Sequence, residues 1–265
     1  MDAKSRRALI EQRVVSRGEV DYASLAIEFG VSEMTIRRDI ELLEEENVVR
    51  RVVGGAISLV GKANEPPFAA RASVAAVEKA HLAQAAVALV QPHETVILDS
   101  GSTILAVARE LRGRHFGLTV VTPSLLVALE LADEPDTTVL VTGGRVRPGE
   151  MSLIGSEAED AFLRYNCDVF FMGVAGIDAL HGATEYHREE GAVKRYAVNA
   201  ADRVIAVVDS SKLGRVQLIN VARLGEITAI VTDADEDHPV VVEVRKAGIE
   251  VHCVPHPTDD RISAS

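Results

Sequence analysis

The first 60 residues carry apolar positions three and four residues apart, interrupted by short polar breaks. This spacing is typical of amphipathic helices that share one core. After the third helical run, two β-rich stretches surround Gly54-Gly55, a pattern typical of a hairpin. The segment therefore predicts helices over about 4–16, 22–29 and about 33–46, followed by a hairpin within 48–57.

From residue 75 onward, apolar strand-like runs alternate with helical runs, which indicates an α/β fold with a mostly parallel sheet. The predicted strands are 95–98, 118–121, 138–141, 169–172, 204–208, 229–231 and 249–253. The predicted helices are 75–90, 104–111, 124–131, 189–200 and 239–247. The expected domains are an N-terminal domain over 1–58, a linker over 59–74, an α/β domain over 75–254 and a tail over 255–265.

The N-terminal domain has no excess of positive charge that would attract a nucleic acid. The net charge is −12, and residues 1–60 hold 9 basic against 11 acidic side chains. A nucleic-acid interaction must therefore rest on where individual arginines are placed, since overall attraction to a polyanion is absent. No apolar run of about 18 residues predicts a membrane span, and no signal peptide is recognisable, so we expect a cytoplasmic protein. Two cysteines cannot form a structural zinc site made only of cysteines. We expect no metal and no cofactor.

The second and third predicted helices form a candidate helix-turn-helix. Ala26 is small enough to let the helices approach, Gly30 can adopt the left-handed turn, and Ser32 can cap the next helix. A recognition helix places polar side chains at its N-terminal end, where they meet base edges and phosphates. The candidate DNA-binding residues are Ser32, Glu33, Thr35, Arg37 and Arg38, with Arg50 and Arg51 on the hairpin. Periodicity alone leaves open an ordinary pair of helices with a solvated face.

Polar and small residues follow the predicted strands of the larger domain. Asp99-Ser100-Gly101-Ser102-Thr103 ends one strand and opens a helix, which offers backbone N–H groups and hydroxyls to an anion. Ligands of open α/β sheets bind at the carboxyl ends of the strands. We therefore expect a phosphate-bearing ligand there; a Walker lysine is absent. The further candidates on this basis are Thr122, Gly143, Gly144, Arg145, Glu190 and Lys212.

Residues 31–44, Val-Ser-Glu-Met-Thr-Ile-Arg-Arg-Asp-Ile-Glu-Leu-Leu-Glu, closely resemble the signature of the DeoR family of bacterial transcriptional repressors. The resemblance continues through the rest of the chain and adds Lys194 to the candidate effector residues. Its matching pieces are 67–68, Arg71, 78–79, 99–103, 143–144, 168–178, Gly182, Thr184, 189–190, 193–195 and 209–212. It implies a winged helix-turn-helix followed by a sensor domain similar in fold to ribose-5-phosphate isomerase. Three residues depart from the family pattern: Val53 replaces a common histidine, Pro123 an asparagine and Gly191 an alanine.

The function that follows is a DNA-binding repressor of a sugar-metabolism operon, controlled by a phosphorylated sugar. The expected partners are double-stranded operator DNA, the effector and further copies of the chain, as a homodimer or homotetramer. One alternative is a sugar-phosphate isomerase-like enzyme, which needs a carboxylate base such as Asp99. The N-terminal module argues against it, because an enzyme needs no recognition helix. The large acidic second domain disfavours an architectural DNA-binding protein.

Overall fold

The computed structural model describes residues 3–45, 48–58, 65–73 and 76–254. The chain divides into two compact units, Met1–Pro66 and Pro67–Ser265. The predicted domain boundaries stay predictions. The whole of the predicted tail, 255–265, lies outside the described residues, as do residues 59–64 and 74 of the predicted linker. The rest of that linker contains a helix, Phe68–Ser73, which belongs to the second unit.

The first unit is a three-helix bundle with a small antiparallel sheet. Its strands pair in the order β1-β3-β2, so the β2–β3 hairpin is extended by β1. Gly30 caps α2 in the left-handed conformation at φ 62°, as the sequence predicts. The elements are α1 (Ala3–Arg17), β1 (Glu19–Asp21), α2 (Tyr22–Phe29), α3 (Glu33–Glu45), β2 (Val49–Val52) and β3 (Gly55–Ser58).

The core of this unit lies where the three helices meet the sheet. Ile36, Ile40 and Leu43 of α3 are buried against Ile10 and Leu25 from the two preceding helices. Their spacing of four and three residues puts them on one face of α3. Burying side chains of this size typically contributes about 1.5–3 kcal/mol each. The opposite face of α3 is thereby directed to solvent.

The second unit is built on a seven-stranded parallel sheet in the order β15-β14-β12-β9-β4-β5-β6. The sheet strands are β4 (Thr95–Leu98), β5 (Thr119–Thr122), β6 (Thr138–Val141), β9 (Cys167–Gly173), β12 (Ala201–Val207), β14 (Ala229–Thr232) and β15 (Glu250–Cys253). Smaller pairings involve β7 (Arg145–Val146) with β8 (Leu153–Ile154), and β10 (Gly176–Asp178), β11 (Gly182–Glu185) and β13 (Ile219–Ala222).

Helices cover both faces of this sheet. Alternate residues of one strand point to opposite sides, so Ile97 packs in one cluster and Leu98 in the other. The helices are α4 (Phe68–Ser73), α5 (Ala76–Val87), α6 (Ser102–Leu111), α7 (Leu125–Leu131), α8 (Ser156–Phe162), α9 (Arg188–Asn199) and α10 (Pro239–Lys246). Side chains of α5, α6 and α7 pack on one face, and those of α8, α9 and α10 on the other.

The predicted fold class, a winged helix-turn-helix plus a larger α/β domain, is confirmed. All seven predicted strands are the seven strands of the main sheet. The hydrophobic pattern did not predict α4, α8, the β7–β8 pair or the small sheet of β10, β11 and β13. Among the described residues, no helix is long and apolar enough to cross a membrane.

Candidate DNA interface and effector site

The recognition helix α3 is fixed to the body of its unit by a buried ion pair. Asp39 lies on the inner side of the helix and is 3% exposed. Its Oδ2 accepts a hydrogen bond from Arg6 Nε of α1 at 2.6 Å, and Arg7 lies 4.0 Å from Oδ1. Because a buried charge must be paired, this contact sets the rotation of α3 about its axis. The outer side of the helix is then presented in a defined orientation.

Five of the predicted DNA-binding residues lie at the N-terminal end of α3. Ser32 Oγ accepts a hydrogen bond from Thr35 N at 3.2 Å and lies 3.0 Å from Thr35 Oγ1, which caps the helix. Arg37 is partly engaged within the unit: its guanidinium lies 4.6 Å from the centre of the Tyr22 ring and 3.7 Å from Glu33. Arg38 is exposed.

The two hairpin arginines differ in their surroundings. Arg51 donates to Glu44 at 2.5 Å and to Glu41 at 2.7 Å, while its backbone N also donates to Glu44 at 2.8 Å. The backbone and side-chain hydrogen bonds from Arg51 lower the pKa of Glu44, and those contacts raise the pKa of Arg51. Arg51 therefore offsets one negative charge in the acidic C-terminal half of α3, which keeps an excess of carboxylates. Arg50 is exposed on the same hairpin, and Val53 at its tip is fully exposed.

The strand order of the second unit creates one topological switch point. The chain leaves β4 toward β5 and β6 on one side, then returns to place β9 and β12 on the other. The carboxyl ends of β4 and β9 therefore open a crevice, which is where open α/β sheets bind ligands. Asp99-Ser100-Gly101 follows β4 at this point. Gly101 has φ 98°, and α6 starts directly after it.

A buried ion pair occupies this crevice. Lys194 Nζ of α9 donates to Asp99 Oδ2 at 2.5 Å and to the Gly173 carbonyl at 2.8 Å, and lies 3.3 Å from Glu185 Oε2. Asp99 also accepts from the backbone N–H groups of Gly173 at 3.0 Å and Ser100 at 2.7 Å. Burial opposes the charge of Lys194, but Asp99, Glu185 and Glu190 outweigh it and raise the pKa of Lys194.

A group of cations is connected to this pair through Glu185, which contacts Lys194 and acts electrostatically on Lys212. Lys79 of α5 is 6% exposed and donates to the Arg71 carbonyl of α4. Burial lowers the pKa of Lys79 to about 8, with Asp209 opposing the shift and Lys212 and Arg71 adding to it. Burial likewise lowers the pKa of Lys212, again opposed by Asp209. Basic side chains thus share a poorly solvated region in which Asp209 is the acidic group that acts on both lysines.

The remaining predicted effector residues make contacts of other kinds. Glu190 accepts from Arg147 at 2.6 Å and from Ser152, and Arg145 contacts Glu189 at 2.7 Å. Thr122 is buried, and its hydroxyl accepts from Ser124 N at 3.1 Å. These contacts have structural roles. The backbone turns sharply at Gly143 and Gly144, both with positive φ, whereas Ser102 and Thr103 are half-buried at the start of α6.

Sequence reasoning did not name Lys79, Arg71, Glu185 or Asp209 as candidate effector residues, although the family resemblance includes Arg71, Lys79 and Asp209. Lys79 had a detectable signal, because it lies on the same helical face as Leu82, Ala83 and Ala86, all buried. A lysine on an apolar face requires an explanation. Glu185 had no such signal, since β11 is a short strand of small and polar residues.

Comparison with known families decides the assignment. Residues 6–60 match the model of the DeoR-like helix-turn-helix domain, and residues 74–234 match that of the DeoR C terminal sensor domain. The chain belongs to the DeoR family. It is therefore a DNA-binding transcriptional regulator, and the alternative of an isomerase-like enzyme does not apply.

Individual relatives agree with this assignment. The DeoR-family chain is 32% identical to the glycerol-3-phosphate regulon repressor of Escherichia coli (strain K12), over 85% of this chain and 88% of that protein. It is 34% identical to the HTH-type transcriptional repressor GlcR of Bacillus subtilis (strain 168), over 77% and 78%. A solved ribose 5-phosphate isomerase from Methanocaldococcus jannaschii aligns over 52% of this chain and 55% of its own, with 17% identity and a TM-score of 0.40.

Proposed function

We propose that this DeoR-family regulator represses genes of sugar or sugar-phosphate metabolism, and that a phosphorylated sugar bound in the second unit lowers its affinity for operator DNA. The cation group connected to the Asp99–Lys194 pair through Glu185 is the observation that carries the effector class. Its two lysines both have lowered pKa values because they are poorly solvated.

A phosphate monoester would place negative charge among these basic side chains. Lys79 and Lys212 would meet its oxygens as point charges, and the Ser100–Thr103 turn would donate from backbone N–H groups and hydroxyls. The dianion would raise the pKa values of both lysines and so favour their charged forms. This accounts for the phosphorylated part of the effector. The uncharged part would lie along the crevice toward Asp99 and Glu185, whose carboxylates can accept from sugar hydroxyls.

The β7–β8 hairpin provides a route from this site to the start of the second unit. Within its loop, Arg147 and Ser152 hold Glu190 of α9, one helical turn before Lys194. In the same loop, Glu150 is 7% exposed and accepts from Arg71 of α4. Helix α4 is the first described helix of the unit after the segment that joins it to the DNA-binding unit.

We propose that effector binding acts through this hairpin. A phosphate that draws Arg71 or Lys79 toward itself weakens the Arg71–Glu150 pair and the Lys79–Arg71 carbonyl bond. The position of α4 then changes, and with it the geometry available to the DNA-binding units of an oligomer. Couplings of this kind typically amount to about 1–3 kcal/mol. A homodimer or homotetramer is the proposed assembly, since paired recognition helices fit half-sites about one DNA turn apart.

The test is a titration of the promoter DNA beside the gene with the full-length protein, with and without a panel of sugar phosphates and the matching free sugars. Specific binding relieved by one phosphorylated compound, but not by its free sugar, is the expected result. Replacing Ser102 with Ala and Lys212 with Met together should abolish the response and leave DNA binding intact. A normal response in that double variant would contradict the location of the site.

A further inference from the structure

Helix α3 has an outward face that can be defined from its own periodicity. Ile36, Ile40 and Leu43 are buried, so the residues about half a turn away from them face outward. Counting 3.6 residues per turn, the line opposite the core runs through Met34, Arg38, Glu41 and Glu45. All four are exposed. Arg37 and Thr35 lie to either side of this line.

Charge divides this face into two halves. In the C-terminal half, Glu41 and Glu44 bind Arg51, and Glu45 is a further acidic side chain. A phosphate backbone repels such a surface. The N-terminal half holds Arg38 together with Met34, which is 62% exposed. We therefore expect only the first two turns of α3 to contact bases, as in other helix-turn-helix proteins.

Met34 is an unusual residue for a position of this kind. Its side chain is apolar and unbranched, and it projects from the outward line one turn before Arg38. The major groove offers one apolar feature for such a side chain, the C5 methyl group of thymine. Arg38 at the neighbouring position has the geometry to bind guanine in a bidentate manner.

We propose that Met34 determines operator specificity by packing against the C5 methyl group of a thymine, in the half-site that Arg38 contacts. The inference rests on α3 being the recognition helix, and it goes further by assigning one base feature to one side chain. Since the contact is apolar, it discriminates thymine from uracil, which differ only by that methyl group. A phosphate contact makes no such distinction.

The experiment uses the full-length protein and a duplex selected by it from a random DNA library. Each thymine of one half-site is replaced in turn by deoxyuridine, and binding is measured for wild type, Met34→Ala and Ile27→Ala. Ile27 is a matched control because it is an apolar side chain on α2 that is 83% exposed. Both side chains are exposed, so we expect both variants to fold, and circular dichroism checks this.

In wild type, we expect one thymine whose replacement lowers affinity about fourfold, the effect of one buried methyl-sized group. That loss should vanish in Met34→Ala and persist in Ile27→Ala. The proposal is overturned when Met34→Ala retains the full uracil penalty, or when no thymine of the wild-type half-site is sensitive. A library without any enriched sequence would contradict sequence-specific binding itself, and this inference with it.

Discussion

Asp99 and Lys194 are 95 residues apart in the sequence, yet they form a direct ion pair of 2.5 Å at the switch point of the sheet, with side chains 2% and 5% exposed. The pair joins the end of β4 to the middle of α9. Breaking a buried pair by removing one partner is strongly destabilising, because the other charge is left without compensation. Lys194 retains Glu185 at 3.3 Å, which moderates the loss.

Asp99→Asn should therefore destabilise the protein by about 3 kcal/mol. The double variant Asp99→Asn with Lys194→Met should lose less than the sum of the two single variants, with a coupling of about 1–3 kcal/mol. Urea unfolding monitored by tyrosine fluorescence suits the measurement, since three of the four tyrosines, Tyr165, Tyr186 and Tyr196, lie in the second unit. Strict additivity would show that the pair contributes nothing as a pair.

Lys79 should make stability depend on pH. Its pKa of about 8 in the folded protein lies below the ordinary lysine value of 10.5. Between these values the unfolded chain binds more protons than the folded one, so stability rises with pH from about 8 to about 10.5. Below pH 8 the full destabilisation is present, at most about 3 kcal/mol for a shift of this size. Lys79→Met should remove this part of the rise.

The control for this measurement is Lys246→Met, since Lys246 is an exposed lysine at the end of α10. Unfolding free energies are compared at pH 7 and pH 9.5 for wild type and both variants. The change with pH should be smaller in Lys79→Met and unaltered in Lys246→Met. Equal pH dependence in all three proteins would show that Lys79 keeps an ordinary pKa.

The two arginines of the recognition helix should differ in importance. Arg38→Ala should weaken operator binding by about 1–3 kcal/mol, as expected for loss of a bidentate base contact. Arg37→Ala should weaken it less, because that guanidinium is shared with the Tyr22 ring and Glu33. Fluorescence anisotropy with a labelled operator duplex at fixed salt compares them. Unchanged binding in both variants would remove the assignment of α3 as the recognition helix.

The main sheet was predictable from the sequence because each of its strands is a short apolar run between turn residues. The small sheet was not: β11, Gly182–Glu185, is fully buried yet contains Gly, Ala, Thr and Glu. It pairs with the neighbouring β10 on one side and on the other with β13, Ile219–Ala222, which lies too far along the chain for a local sequence window to include. Asp99 and Lys194 were predicted as ligand residues, but their pairing could not be, because no local pattern relates positions that tertiary folding brings together.

Packing explains why glycine replaces the alanine of the family pattern at position 191. A Cβ added to Gly191 would lie 2.7 Å from Ile219 Cγ2, because α9 runs close to β13 there. Gly191→Ala gains about 1 kcal/mol of helix propensity, while overpacking typically costs about 1–3 kcal/mol. We expect a net destabilisation of about 1 kcal/mol. In an Ile219→Ala background the same change should be stabilising. Thermal unfolding of the four proteins tests this, and the same sign in both backgrounds would contradict it.

Glu150 should matter for communication rather than for binding. Glu150→Gln weakens the pair with Arg71 while keeping the size of the side chain and leaving Lys79 and Lys212 in place. Effector affinity, measured by calorimetry, should change less than about threefold. The coupling free energy, which is the loss of operator affinity caused by the effector, is typically about 1–3 kcal/mol. In Glu150→Gln it should fall to less than half of its wild-type value. Glu157→Gln, at an exposed glutamate of α8, is the control. Full coupling in Glu150→Gln would place the route between the two sites elsewhere than in the β7–β8 hairpin.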